Sequence, residues 1–190
     1  MRLFYEWFQE MYGKAISTRE PGGVSIGEKI RVILLDPENT DMDSGTELLL
    51  YSASRSQFVS KIVKPNLEKG ISVLSDRFYD STTAYQGVGR NIDLEVISYL
   101  NNFASKGIKP DLTYVIDVDP EIGIRNAVVR GLLNRLDAEG MDFHKRVRNG
   151  FLDVAKSNLD RCVVIPYEEG VENVQRSIRR VFFEKYLLGI

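Results

Sequence analysis

The chain is poor in the residues that build disulfide frameworks, membrane anchors and strongly charged surfaces. It has one cysteine in 190 residues. That thiol, Cys162, excludes an internal disulfide and fits a reducing compartment, so a cytoplasmic setting is expected. Its place at the start of an apolar run reads as a small core residue. No long apolar run occurs, which leaves no candidate membrane span. The N-terminal residues Met1 to Tyr12 are acidic and aromatic, without the basic and then apolar regions of a secretion signal. Neither charge sign dominates: 25 Lys and Arg oppose 27 Asp and Glu, a formal net charge of -2. No overall pull toward nucleic acid or an anionic membrane is therefore expected, and any phosphate site must be a local cluster of arginines. The one histidine, His144, sits among charged neighbours on a helix and reads as an exposed bystander. Repeats and low-complexity tracts are absent as well. A length of 190 residues with 43% hydrophobic content is enough for one well-buried core, and one domain over 1–190 is expected.

What is present is an alternation of helices and short apolar strands. Leu3, Phe4, Trp7, Phe8 and Met11 recur at helical spacing, with Gly13 as the stop. Lys14 to Thr18 reads as a strand running into the Pro21-Gly22-Gly23 turn. Ser25 with Glu28 three positions on predicts a capping box for a helix through Leu35. Asp36 to Gly45 has loop composition, and Thr46 to Val63 is helical by spacing, ended by Pro65 and Gly70. Ile71 to Ser75 predicts a strand buried on both faces. Helices are predicted over Asp93 to Ser105, Pro120 to Val129, Phe143 to Ala155 and Val171 to Leu187, and strands over Leu112 to Val118 and Cys162 to Ile165. This order points to a parallel sheet covered on both faces, a three-layer α/β domain.

Ligands of open parallel sheets bind where strands end. Three of the four strands end on polar signatures, Arg19-Glu20-Pro21, Asp76-Arg77 and Asp117-Val118-Asp119, which are expected to converge on one edge. The planar guanidinium fork suits phosphate because it donates two parallel charge-assisted hydrogen bonds. Arg77 can be read as a surface partner of Asp76 or as a phosphate ligand. Its place after a buried strand and before the hydroxyl- and amide-rich run from Ser81 to Gly87 favours the second.

The motifs T-R-E-P-G-G (Thr18 to Gly23), I-G-E-K-I-R (Ile26 to Arg31), L-Y-S-A-S-R (Leu50 to Arg55), S-D-R-F (Ser75 to Phe78) and A-Y-Q-G (Ala84 to Gly87) follow one another in order. Together they resemble a bacterial thymidylate kinase. Val115 to Val118, Arg130-Gly131, Arg135-Leu136-Asp137 and Phe143 through Phe151 are similar to the family too. The resemblance implies the three-layer, parallel-sheet P-loop nucleoside monophosphate kinase fold. The implied activity is transfer of the γ-phosphoryl of Mg-ATP to dTMP, and the implied assembly is a homodimer.

It also implies roles for matching positions. Tyr51 would stack on the thymine ring, where the bland alternative is a core aromatic. Arg55, one helical turn on, would donate to a base carbonyl. Arg77 would grip the 5′-phosphate, with Asp76 near magnesium. Thr82 and Gln86 would lie near the base edge and Tyr85 near the sugar, while Glu20 and Pro21 would close the pocket from the other side. Arg130 and Arg135 fall in an implied lid, about 130–142, where they would supply charge to the donor phosphates unless they belong to a solvated helix face. Asp137 stands where many relatives carry glutamate, and Phe151 where tyrosine is usual. No G-x-x-x-x-G-K-[ST] sequence occurs in the 190 residues. Gly13-Lys14 is followed by Ala15 and has no glycine five residues before it. The reading expects the first central strand and its phosphate loop to be missing, and turnover by these residues to be weak or lost. A non-catalytic homologue that binds a pyrimidine monophosphate, or serves as a dimerisation or regulatory partner, is the alternative.

Overall fold

A computed structural model of the protein describes residues 1–131 and 133–188. Leu132, inside the expected lid, lies outside the described residues. Helix α1 (Arg2–Tyr12) buries Phe4 and Phe8, and Gly13 ends it at φ 93°, a conformation that favours glycine. Of its predicted stripe, Met11 is exposed instead. Strand β1 (Ala15–Arg19) leads into α2 (Ser25–Leu35).

The predicted capping box is only half realised. Val24, not Ser25, takes the cap position and gives no side-chain bond. Glu28 nevertheless folds back, accepting from Gly23 N at 2.8 Å and from Arg19 Nη2 at 3.0 Å. Helix α3 (Ser44–Phe58) starts two residues before the predicted Thr46, because Asp43 accepts from the amides of Gly45 and Thr46 and satisfies the orphan donors of the first turn. It runs on through a π-helical turn, Val59–Val63, into α4 (Lys64–Leu67).

After β2 (Ser72–Asp76) comes a helical stretch that periodicity did not reveal: α5 (Tyr79–Thr82) followed by π-helical turns over Thr83–Gly89. The remaining elements are α6 (Leu94–Ser105), β3 (Thr113–Asp117), α7 (Pro120–Val129), α8 (Met141–Lys156), β4 (Cys162–Pro166) and α9 (Val171–Phe183), with a final π-helical segment, Glu184–Leu188. Asp93 and Asp119 cap α6 and α7, each accepting one backbone N–H.

The strands do not form one ladder. Among the described residues they make two parallel pairs, β1 with β2 (Ala15↔Ser72 through Arg19↔Asp76) and β3 with β4 (Thr113↔Cys162 through Asp117↔Pro166). Side chains join the pairs across the middle. Successive strand residues point to opposite faces, so Leu74 and Tyr114 share one layer with Ala15 and Ile165 against α1 and α9. Phe4 meets Tyr114 edge-on at 5.9 Å and Phe182 at 6.0 Å, which carries the apolar layer over both pairs. On the opposite face Val73 packs with Phe58, Val59 and Val63, and Val115 packs with Val154, Ala155 and Cys162. The result is three layers, helix, strand and helix. β2 is half-buried along most of its length instead of buried on both faces as predicted, in keeping with its pairing on one side.

One contact places the functional segment. Helix α8 approaches Thr83–Gly89 so closely that a Cβ at Gly150 would stand 3.0 Å from Ala84 Cα and from Val88 Cβ, both firmly packed. Gly150→Ala should therefore lower stability by about 1–3 kcal/mol in spite of alanine's better helix propensity, since the overlap cannot be relieved by a flexible side chain. Denaturant unfolding of the variant checks this, and a stabilised variant would contradict the tight packing.

Candidate functional site

Nine of the predicted site residues line one cavity of ≈ 190 Å³: Glu20, Pro21, Tyr51, Arg55, Asp76, Arg77, Thr82, Tyr85 and Gln86. The β1–β2 pair delivers two of the strand-end signatures side by side, with Arg19 opposite Asp76 in register and Glu20 N donating to Asp76 O at 3.0 Å. The Glu20-Pro21 bond that follows is cis. Arg77 comes directly after β2 at φ 73°, a left-handed conformation that disfavours side chains by about 1–3 kcal/mol and that proteins retain mostly at working sites. Its guanidinium lies over the Tyr85 ring, 5.2 Å from the centroid, and Nη2 donates weakly to Tyr85 Oη at 3.5 Å. The Tyr85 ring is held in turn by the edge of Phe151 at 5.9 Å.

The cavity has a cationic end. Besides Arg77 it is lined by Arg19 and Arg31. Arg31 donates from Nη1 to Pro21 O at 2.8 Å. Burial, and then the charge of Arg19, act against its protonated form. A bound anion would relieve that strain. Neither arginine was singled out from the sequence, although both lie inside motifs quoted above, T-R-E-P-G-G and I-G-E-K-I-R. The signal was the arginine in each motif, second in the first and last in the second.

A second group of lining residues is polar and dry. Arg55 is 1% exposed and ties α3 to the turn after β1, to α6 and to α5: Nε meets Glu20 Oε1 at 2.6 Å, Nη1 donates to Asn101 Oδ1 at 2.8 Å, and Nη2 donates to Thr82 Oγ1 at 2.7 Å. A guanidinium has five N–H donors, so two remain for a ligand. Burial pushes the Glu20 carboxyl above its usual range even with Arg55 beside it. Tyr51, also on the lining, has its phenol pushed up to about 12, chiefly by burial and then by the Glu47 charge.

Two predicted residues are not in the cavity. Arg130, at the C-terminal end of α7, is exposed. Arg135 is buried: Nε donates to Leu34 O at 3.0 Å and Nη2 to Glu47 Oε2 at 2.5 Å. In this structure it is a strut between the 133–140 segment and α2 and α3, and it does not line the cavity. Leu136, Asn134 and Asp137 from the same segment do reach the cavity.

The third strand-end signature also departs from expectation. Asp117 accepts a bidentate pair from Arg148, at 2.6 and 2.9 Å, and Asp119 lines a separate cavity of ≈ 270 Å³ with Lys145 and Arg148. Convergence on one edge holds for β1 and β2 and not for β3, because β3 belongs to the other strand pair. His144 is half-buried, not exposed: its ring meets the edge of Phe143 at 5.5 Å, and its Nε2 is sheltered without a hydrogen-bond partner.

Chemically, the cavity offers several arginines, aromatic side chains, and fixed donors and acceptors. That set suits a small phosphorylated ligand with a flat, polar-edged ring. Among the described residues that line the cavity Asp76 is the exposed carboxylate, next in the chain to Arg77. This fits magnesium, which takes one or two carboxylates and otherwise keeps water and substrate phosphates.

The comparisons with known proteins agree with this geometry. Residues 1–178 match the family described as Thymidylate kinase. The fold superposes on the crystal structure of thymidylate kinase from Ehrlichia chaffeensis with a TM-score of 0.75 and 34% sequence identity, covering 95% of this chain and 88% of that one. Two paired strands ending on an arginine-lined cavity, in a chain this similar along nearly all its length, leave one conclusion: it belongs to the thymidylate kinase family, with that family's P-loop nucleoside monophosphate kinase fold.

Proposed function

We propose that the cavity binds dTMP as the acceptor of a phosphoryl group from ATP. The observation that carries this reading is the lining of the cavity, which combines three arginines, Arg19, Arg31 and Arg77, with the hydrogen-bonding side chains of Arg55, Thr82 and Gln86. The 5′-phosphate lies against the guanidinium of Arg77, and the base stacks on Tyr51 with its polar edge toward Arg55, Thr82 and Gln86. Tyr85, held by Phe151, flanks the sugar where a 2′-hydroxyl would crowd it. Glu20 and Pro21 close the near wall. Asp76 would hold magnesium, which supplies charge neutralisation to the phosphates when bound.

Phosphoryl transfer calls for donors around the transferred group, and removing even one preorganised donor typically lowers the rate by about a hundredfold to a thousandfold. These 190 residues contain no G-x-x-x-x-G-K-[ST] sequence and commit Arg135 to Glu47. Arg130 alone of the expected lid cations is unburied. We therefore assign to these residues the acceptor half of the reaction, with little turnover by themselves. Both observations also favour the second reading, a pyrimidine monophosphate binder without catalysis or a dimerisation partner.

Exposed Leu94, Tyr99 and Phe103 on α6 and Leu49 on α3 would serve a homodimer interface. A single, buried cysteine, Cys162, accords with a cytoplasmic setting. Among the described residues no helix is long and apolar enough to cross a membrane.

The test is to measure ADP release and thermal stability together. The expected outcome is that dTMP raises the melting temperature while ADP release in the presence of ATP stays near background. Release of ADP that depends on dTMP would establish catalysis by these residues and overturn the assignment of weak turnover. No stabilisation by dTMP would sink the acceptor-site reading.

A further inference from the structure

Behind the cavity wall lies a buried carboxylate that touches no ligand space. Glu47 is 0% exposed. It accepts from Gln86 Nε2 at 2.7 Å, from Arg90 Nε and Nη2 at 3.3 and 3.0 Å, and from Arg135 Nη2 at 2.5 Å. We propose that Glu47 sets which base the cavity accepts, by fixing the orientation of the Gln86 amide. The proposal rests on reading the cavity as a pyrimidine monophosphate site.

An ionised carboxylate only accepts hydrogen bonds, whereas a glutamine amide has one face that donates and one that accepts. With Glu47 at its back, Gln86 must turn its NH2 group toward the carboxylate. Its Oε1 is thereby left as the cavity-side atom of a residue that lines the cavity. Flipping the amide would set a carbonyl oxygen against a carboxylate in a nearly dry interior, where an unpaired polar contact is strongly unfavourable. Burial opposes the charge on Glu47, but bonds from Arg90, Gln86 and Arg135 outweigh it and hold the carboxyl below its ordinary range. Arg90 is itself anchored, to Glu139 at 2.6 Å and over the Phe143 ring at 4.7 Å, so the charge that fixes Glu47 does not wander.

An acceptor at the cavity wall pairs with a ring edge that donates. The N3–H of thymine or uracil does so. The N3 of cytosine is an acceptor and meets Oε1 with like polarity. The two free N–H groups of Arg55, beside Thr82, extend the pattern: they suit a carbonyl at the neighbouring ring position and oppose the amino group of cytosine. Glu47 thus acts as a positioning residue, selecting the keto pyrimidine without touching it. The sequence held a faint sign of this, because Glu47, Tyr51 and Arg55 are spaced four apart and share one face of α3.

The experiment is calorimetric titration of dTMP and dCMP into the wild type, Glu47→Gln, Glu47→Asp, Gln86→Leu and the Glu47→Gln/Gln86→Leu pair. The wild type is expected to prefer dTMP. Glu47→Gln lets the amide at 86 turn either way and should narrow the dTMP-to-dCMP affinity ratio by tenfold or more. Glu47→Asp keeps the charge but withdraws it from Gln86 by one methylene, so the ratio should fall there too, should the Gln variant fail to fold. Gln86→Leu should collapse the ratio, and adding Glu47→Gln to it should change the ratio no further. A merely structural Glu47 would lower both affinities together and leave the ratio unmoved in both Glu47 variants, which would overturn the assignment while dTMP binding by the wild type kept the site reading intact. A wild type that binds neither nucleotide would overturn both.

Discussion

Arg77→Ala should weaken dTMP binding by about a hundredfold or more while thymidine binding changes by less than about threefold. Only the monophosphate presents oxygens to the guanidinium, and two charge-assisted hydrogen bonds at about 1.5 kcal/mol or more each amount to roughly two orders of magnitude. Backbone strain complicates the alanine variant, because position 77 has φ 73°. Arg77→Gly suits that conformation and separates the two effects: it should lose the same dTMP affinity without the strain. Titration calorimetry with both ligands decides the matter. Equal losses for nucleoside and nucleotide would mean that Arg77 supports the cavity wall through its contact with Tyr85 instead of gripping a phosphate.

A comparably large effect is expected on stability from Asp80→Ala. Asp80 is 5% exposed and takes both Nη atoms of Arg161 at 2.8 Å, with Thr113 Oγ1 donating at 3.1 Å. The bonds from Asp80 outweigh the burial of Arg161 and hold its guanidinium more firmly protonated, and the Tyr79 ring lies 5.4 Å from it. Removing the carboxylate strands a cation in a dry place, which typically destabilises by about 3–5 kcal/mol. For a chain of this size that is a fall in melting temperature of roughly 6–20 °C. Replacing both partners, as Asp80→Leu with Arg161→Met, should restore most of the loss, because the penalty comes from the unpaired charge and not from the absence of the pair. A shift under about 2 °C for Asp80→Ala would show that water reaches Arg161. The pair ties α5 to β3 and β4, so the same variant should loosen Arg77 and Thr82, which lie on either side of Asp80 in the chain.

The acceptor cavity was legible because its residues sit in short local motifs at strand ends and along one helix face. Tyr51 and Arg55 are four apart, and Asp76-Arg77 closes an apolar run, so periodicity and motif order place them without a three-dimensional map. What stayed hidden depends on partners far along the chain. The partner of Arg135 was hidden because the carboxylates near it in sequence are taken by others, Asp137 by Asn134 and Glu139 by Arg90, while Glu47, 88 residues away, takes Arg135. The π-helical turns over Thr83–Gly89 depart from the 3.6-residue period that sequence reading relies on. The helix start at Ser44 was missed because Asp43 lies inside a polar stretch whose composition is that of a loop. Splitting of the strands into two pairs has no local signature at all, since each apolar run looks the same whether its neighbour is a strand or a side chain.

That split alters where the chain can accept mutation. Backbone ladders tolerate many residue types at each rung, because every non-proline residue brings the same N–H and C=O. An aromatic seam has no such latitude. Phe4 meets both Tyr114 and Phe182 in the layer that covers the strands, so a change of shape at any of the three disturbs its neighbours. Evolutionary freedom is therefore redistributed: α1 is held to the strictness of a core, because its aromatic face packs against residues of both strand pairs.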